Sequence, residues 1–204
     1  MSKAAVSTDW REIRRRSARD AITEAAWSLV RADGLAGLSL RDLAKRAGIS
    51  TPTVYVYFES KNAIYDAMFA QAATEFADLI AQPDGSKDPR AVLTESLHRF
   101  VVFCTSDVAR FQLLFQRPMP DFEPSAVSLA PAIAAFDAMR ERLALNDITD
   151  PAHIDMWTAL TTGLVSQQVS NDPGGDRWTR LIDDVVAMFL AYCQPVRRRR
   201  PSTR

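Results

Sequence analysis

Between residues 39 and 61 the chain gathers Ser39, Arg41, Thr51, Thr53, Tyr55, Tyr57 and Lys61, a set able to hydrogen-bond phosphate oxygens and base edges, with the apolar Val56 among them. Each tyrosine offers a hydroxyl to a phosphate and an apolar ring to the sugars, a combination that a merely water-facing helix has no reason to carry. Lys61 follows Ser60, which can cap a helix, and so stands in a first turn where the macrodipole disfavours a cation. A bound phosphate, met by the ammonium and by free backbone amides together, would account for it; pairing with Glu59 or Asp66 is the plain alternative. Arg41 can reach a guanine edge or a phosphate, and the Ser39 hydroxyl can reach a phosphate. Arg14, Arg15 and Arg16 can follow a backbone or enter a minor groove, or simply form a charged helix end.

Catalytic patterns are missing from the sequence. There is no G-x-G-x-x-G, P-loop, G-x-S-x-G or H-E-x-x-H, and His98 and His153 stand alone. Cys104 and Cys193 lie far apart among apolar neighbours without metal-ligand spacing. No catalytic residue, cofactor or metal is expected. The net charge of zero conceals a polarity: residues 1–61 carry eleven Lys/Arg against seven Asp/Glu, residues 62–196 carry nine against eighteen, and 197–204 add five arginines. A basic head on an acidic body suits a polyanion that meets one end only. No run is long and apolar enough for a membrane span, and the N-terminus lacks a secretion signal's apolar core, so a cytoplasmic protein without a membrane partner is expected.

The elements that must position these residues are helical, since a 3.6-residue apolar period recurs along the chain of 204 residues, 47% of them apolar. Ala18, Ile22, Ala25 and Leu29 mark a first helix from about Arg11 to Asp33, stopped by Gly34. Ser39 caps a second with Leu40, Leu43, Ala44 and Ala47 inward. Gly48 turns the chain, Ile49 plugs the turn, and Ser50 or Thr51 caps a short third helix that tolerates Pro52 in its first turn. Two short helices joined at Ala47-Gly48-Ile49-Ser50 fit a helix-turn-helix, with Val54 and Phe58 packed inward. A fourth helix carries Ile64, Met68, Ala72, Phe76 and Leu79. After a loop at 82–89, further helices are expected over about 89–106, 107–116, 125–145, 151–171 and 176–192. The fold class is therefore all-α: a three-helix helix-turn-helix head over 1–60, a helical bundle body over 61–193, and a basic tail over 194–204.

Residues 38–69, LSLRDLAKRAGISTPTVYVYFESKNAIYDAMF, resemble the DNA-binding head of TetR/AcrR-type regulators: a Ser-capped helix, then A-G-I-S, T-V-Y-x-Y-F and S-K. The resemblance covers about residues 13–69 and implies that Thr51, Thr53, Tyr55, Val56 and Tyr57 face DNA, with Ser39 and Lys61 on phosphates and Arg41 near a base. Val56 stands where the family often has a larger residue. The partners implied are double-stranded DNA, a second copy of the chain and a small, largely apolar effector, with repression as the usual mode. An architectural nucleic-acid-binding module without an effector is the alternative reading.

One small head binds DNA weakly, and helix-turn-helix proteins place two heads one turn of DNA apart, so the body should dimerise. Trp178, Ile182, Val185 and Phe189 form a wide apolar stripe, and Gly163 and Leu164 sit on the preceding helix where close approach is possible. The resemblance implies a four-helix bundle from the last two major helices of each subunit; packing on the chain's own core is the alternative. Phe69, Phe100, Phe103, Phe115, Met119, Phe122, Trp157 and Thr161 are candidates to line an effector cavity, although any one aromatic at helical spacing is more often plain core.

Overall fold

The computed structural model describes residues 3–193, with side chains from Trp10 onward; the basic tail expected over 194–204 lies outside the described residues. Nine α-helices are present among the described residues, with no strand: α1 (Lys3–Asp33), α2 (Leu40–Arg46), α3 (Thr51–Tyr57), α4 (Lys61–Ile80), α5 (Pro89–Ser106), α6 (Val108–Phe115), α7 (Ala126–Ala144), α8 (Pro151–Asn171) and α9 (Ile182–Cys193). None is long and apolar enough to cross a membrane. The chain divides into two compact units, Met1–Asp78 with Ser106–Ala134, and Leu79–Thr105 with Ala135–Arg204.

In the first unit the inward stripe of α1, with Ile22, Ala26, Leu29 and Val30, packs with Leu43, Val54, Phe58, Ile64 and Met68 into one core. Gly34 ends α1 at φ 77°, and Gly48 turns the chain between α2 and α3 at φ 69°, conformations that L side chains rarely adopt. The caps fall where the sequence puts them. Ser39 Oγ accepts the Asp42 amide at 3.4 Å, Ser50 Oγ that of Thr53 at 3.3 Å, and Ser60 Oγ that of Ala63 at 3.1 Å. The first helix begins at Lys3 rather than near Arg11, so it extends well beyond its packed face.

The second unit is built on Leu93, Leu97, Leu143, Trp157, Val165, Ile182, Val186 and Phe189. Trp157 and Phe189 pack with ring centroids 4.9 Å apart. Its 82–89 loop is held by two arginines. Arg142 donates to the Ile80 carbonyl at 2.8 Å and pairs with Asp84 at 3.1 Å, while Arg99 donates to the carbonyls of Gln82 and Pro83. Gly85 and Arg99 both donate to Glu95, which holds that carboxyl below its usual range.

The last helix begins at Ile182, not at about 176, and a short 3-10 turn over Thr179–Leu181 precedes it. Gln168 explains the difference. Although buried at 2% exposure, it donates to the carbonyls of Asp172 and Gly175 and accepts the amides of Trp178 and Thr179. One side-chain amide thereby satisfies an irregular stretch that would otherwise need helix. Asp172 accepts the Arg177 amide and a bond from Gln168, which holds its carboxyl low.

Candidate nucleic-acid interface and apolar cavity

Helix α3 is pinned on one side by Val54, fully buried, and by Phe58 at its C-cap. That anchorage turns the opposite side outward: Tyr55 is 53% exposed and Val56 69%, while Thr51, Thr53 and Tyr57 are half-buried. Ser50 and Thr53 hydroxyls lie 2.7 Å apart, so they form one hydroxyl pair at the exposed start of the helix. The C-terminal end is clamped from α1. Arg19 donates from Nη1 to the Tyr57 carbonyl, and its guanidinium carbon lies 4.2 Å from the centroid of the Phe58 ring. A cation at a helix C-terminus complements the macrodipole and occupies an otherwise orphan carbonyl.

Arg41 is exposed and Ser39 half-buried at the start of α2. Lys61 lies in the first turn of α4, its ammonium 5.5 Å from the centroid of the Tyr65 ring and without an ion pair to Glu59 or Asp66. Asp66 is instead committed elsewhere: it accepts the Ser125 amide at 2.7 Å, the Ser125 hydroxyl at 2.9 Å and the Ser128 hydroxyl at 2.8 Å. Tyr65 donates to the Leu35 carbonyl, and burial pushes its phenol up to about 12. All eight residues singled out for DNA belong to one unit, on α2, α3 or the start of α4. Arg19 was not legible as part of this arrangement, because its partners lie 38 and more residues away.

Of the eight residues considered for an effector, four line one cavity of about 400 Å³ in the first unit: Phe69, Phe115, Met119 and Phe122, together with Leu113 and Leu114. Arg117 and Glu123 also line it, paired at 2.6 Å and both largely exposed. Arg117 has φ 46°, the left-handed region, which an arginine occupies at a steric cost. The other four do not line this cavity. Phe100, Phe103, Trp157 and Thr161 belong to the second unit, where Phe103 and Trp157 are buried as core and the Thr161 hydroxyl bonds the Trp157 carbonyl at 3.0 Å. Helical spacing marks an inward aromatic; it does not say into which core.

The dimer candidates divide in the same way. Leu164, Ile182 and Phe189 are buried within this chain, at 7%, 2% and 1% exposure. Trp178 and Val185 are half-buried and Gly163 is exposed, with open space where a Cβ would stand. The outer side of α9 carries Met188 and Tyr192, at 56% and 64% exposure.

The family model for bacterial regulatory proteins, tetR family, matches residues 22–68, the segment that holds the helix-turn-helix. An HTH-type transcriptional regulator of Mycobacterium tuberculosis is 27% identical over 186 residues, covering 80% of this chain and 75% of that protein. The HTH-type nicotine-responsive transcriptional repressor HdnoR of Paenarthrobacter nicotinovorans is 25% identical over 189 residues, covering 84% of this chain and 93% of its own length. Among solved structures, a tetR-family transcriptional regulator from Streptomyces coelicolor superposes with a TM-score of 0.68 at 22% identity, covering 86% of this chain and 80% of that one. Those relatives are regulators, and none of them is named as an enzyme. The segment over residues 22–68 is thus a helix-turn-helix of the tetR-family type, and the whole chain is similar to HTH-type transcriptional regulators and shares their all-helical fold.

Proposed function

We propose that the chain is a ligand-responsive repressor that acts in the cytoplasm, binding a palindromic operator as a homodimer and leaving it when a small, largely apolar effector binds. Functionally it divides into a DNA-binding head over 1–60, an effector-binding and dimerising body over 61–193, and a basic tail over 194–204. The observation that carries the reading is the outward side of α3, where Tyr55 and Val56 stand exposed on a helix fixed from behind by Val54, Phe58 and Arg19. Such a helix keeps its shape on contact, which is what base and backbone readout in a major groove requires. Thr51, Thr53 and Tyr57 flank that face, Arg41 and Ser39 serve from α2, and Lys61 meets a phosphate at the start of α4.

The effector site proposed is the cavity around Phe69, Phe115, Met119 and Phe122, whose volume falls in the range of small-molecule pockets. HdnoR, by its name nicotine-responsive, supports an effector of that size class. Dimerisation is assigned to the outer faces of α8 and α9 and the stretch between them, through Gly163, Trp178 and Val185 with Met188 and Tyr192 in place of the three buried candidates.

The test is selection of bound sequences from a random duplex pool, followed by titration. Selected sites should be inverted repeats with half-sites about 10 base pairs, or a multiple, apart, bound at least about a thousandfold more tightly than random duplex. Replacing Tyr55 and Lys61 together with alanine should abolish that preference while helical content and dimer mass persist. Undiminished affinity in that variant would refute the assigned face.

A further inference from the structure

We propose that the N-terminal part of α1, residues 10–17, is a second DNA-contacting element that grips the phosphate backbone flanking each half-site. This rests on the reading of α3 as the DNA-facing helix. Residues 10–17 are all exposed, and the first fully buried position of α1 is Ile22. Two turns of helix therefore stand clear of the core, carrying Arg11, Arg14, Arg15 and Arg16 with Glu12 as the single acid among them. None of the four arginines makes an ion pair within the described residues. Arg11, Arg14 and Arg15 are spaced three and four apart, so they share one side of the helix and repel one another. Neither tertiary packing nor local charge pairing accounts for this segment; an external polyanion does.

Geometry gives its position relative to the reading helix. Arg19, where α1 begins to pack, donates to the Tyr57 carbonyl at the end of α3 and lies over the Phe58 ring. The arm thus leaves the head at the C-terminal end of the helix that bears Tyr55 and Val56. At 1.5 Å per residue Arg11 stands about 12 Å along the axis from that anchor, with Arg14 to Arg16 between. Exposed Trp10 and Ile13, at 59% and 50%, share the adjoining side and can lie against sugars. Such contacts carry charge but little sequence information, so they should add affinity that depends on salt and on flanking length.

The experiment uses the full-length chain and the duplex that it selects from a random pool, made with flanks of about ten base pairs and again trimmed to the half-sites. Arg11, Arg14, Arg15 and Arg16 are replaced together by glutamine in one variant and by lysine in another. Each phosphate contact adds about 0.9 to the slope of log affinity against log salt, so one contact per subunit makes the glutamine slope shallower by about two. Between 50 and 200 mM salt the variant would then lose about tenfold less affinity than the unaltered protein. Trimming should weaken the unaltered protein and leave the glutamine variant unmoved, and the lysine variant should keep the original slope. An unchanged glutamine slope overturns the proposal, as does an unchanged slope with altered dimer mass, which would give the arm to the acidic body of a second copy. If the unaltered protein selects no sequence, it is the underlying reading of α3 that fails.

Discussion

Asp66 offers the sharpest handle on how α4 is held to α7. Its carboxylate on α4 receives three hydrogen bonds from the start of α7, one from the Ser125 amide and two from the Ser125 and Ser128 hydroxyls, at 2.7 to 2.9 Å. The same carboxylate faces the positive end of α7, which Ser125 Oγ caps by accepting the Ser128 amide at 3.2 Å. Hydrogen bonds to a charged group contribute about 1.5–3 kcal/mol each where buried. Asp66 is half-buried, so three at the low end, reduced for water access, give about 3 kcal/mol for Asp66→Ala. Asp66→Asn keeps one oxygen acceptor but loses the charge, and about half that loss is expected.

Urea unfolding with an unchanged m-value measures both. A double-mutant cycle with Ser128→Ala should return a coupling of about 1–2 kcal/mol, since the two side chains touch directly. Operator binding supplies the functional readout. Lys61 stands on the same helix, so freeing α4 from α7 should lower affinity for the selected site and leave the salt slope as it was. A loss below about 1 kcal/mol in Asp66→Ala, or a coupling near zero, would refute the view that this carboxylate ties α4 to α7.

Arg19→Ala removes a charge-assisted bond to the Tyr57 carbonyl and a cation–π contact on Phe58; a loss of about 2–3 kcal/mol in unfolding and a larger fall in specific than in random-duplex affinity are expected, with partial recovery in Arg19→Lys. Tyr65 titrates near 12 when folded against 10.0 unperturbed, so the folded protein holds the proton more tightly. The stability that this contributes is complete below about pH 10 and is lost as pH rises toward 12; alkaline unfolding curves should show that loss, and Tyr65→Phe should lack it.

What the sequence disclosed and what it withheld separate by the range of the interactions. Ser39, Ser50 and Gly48 were legible as caps and turn because their bonds close within a few residues, so the pattern and its partner sit in one window. The exposed side of α3 followed from the spacing of Val54 and Phe58 alone. By contrast, the Arg19–Tyr57 and Asp66–Ser125 contacts join residues 38 and 59 apart, and nothing local at Arg19 or Asp66 distinguishes either from an ordinary surface charge. Gln168 read as one more polar residue on a helix, yet it sets where α9 begins. The aromatics are ambiguous in sequence for a related reason: Phe69 and Trp157 carry the same helical signal, and only the packed chain puts one at a cavity and the other in a core.

Helix α4 joins the proposed DNA contact, the Asp66 clamp and the cavity in one element. Lys61 begins it, Asp66 ties it to α7, and Phe69, one turn further, lines the cavity. The lining residues Phe122 to Pro124 run directly into Ser125, the residue that Asp66 holds, and Phe122 packs on Phe69 with ring centroids 6.4 Å apart. On the proposed reading, a ligand that parts Phe69 from Phe122 would pull on the bonds that tie α4 to α7. Tenfold release from DNA needs about 1.4 kcal/mol of preference for the displaced pose, well under the roughly 3 kcal/mol ascribed to the whole Asp66 clamp. Stretching that clamp is enough, and breaking it is not required. It also follows that tight binding alone does nothing: a molecule that fills the cavity equally well in both poses of α4 leaves operator occupancy where it was.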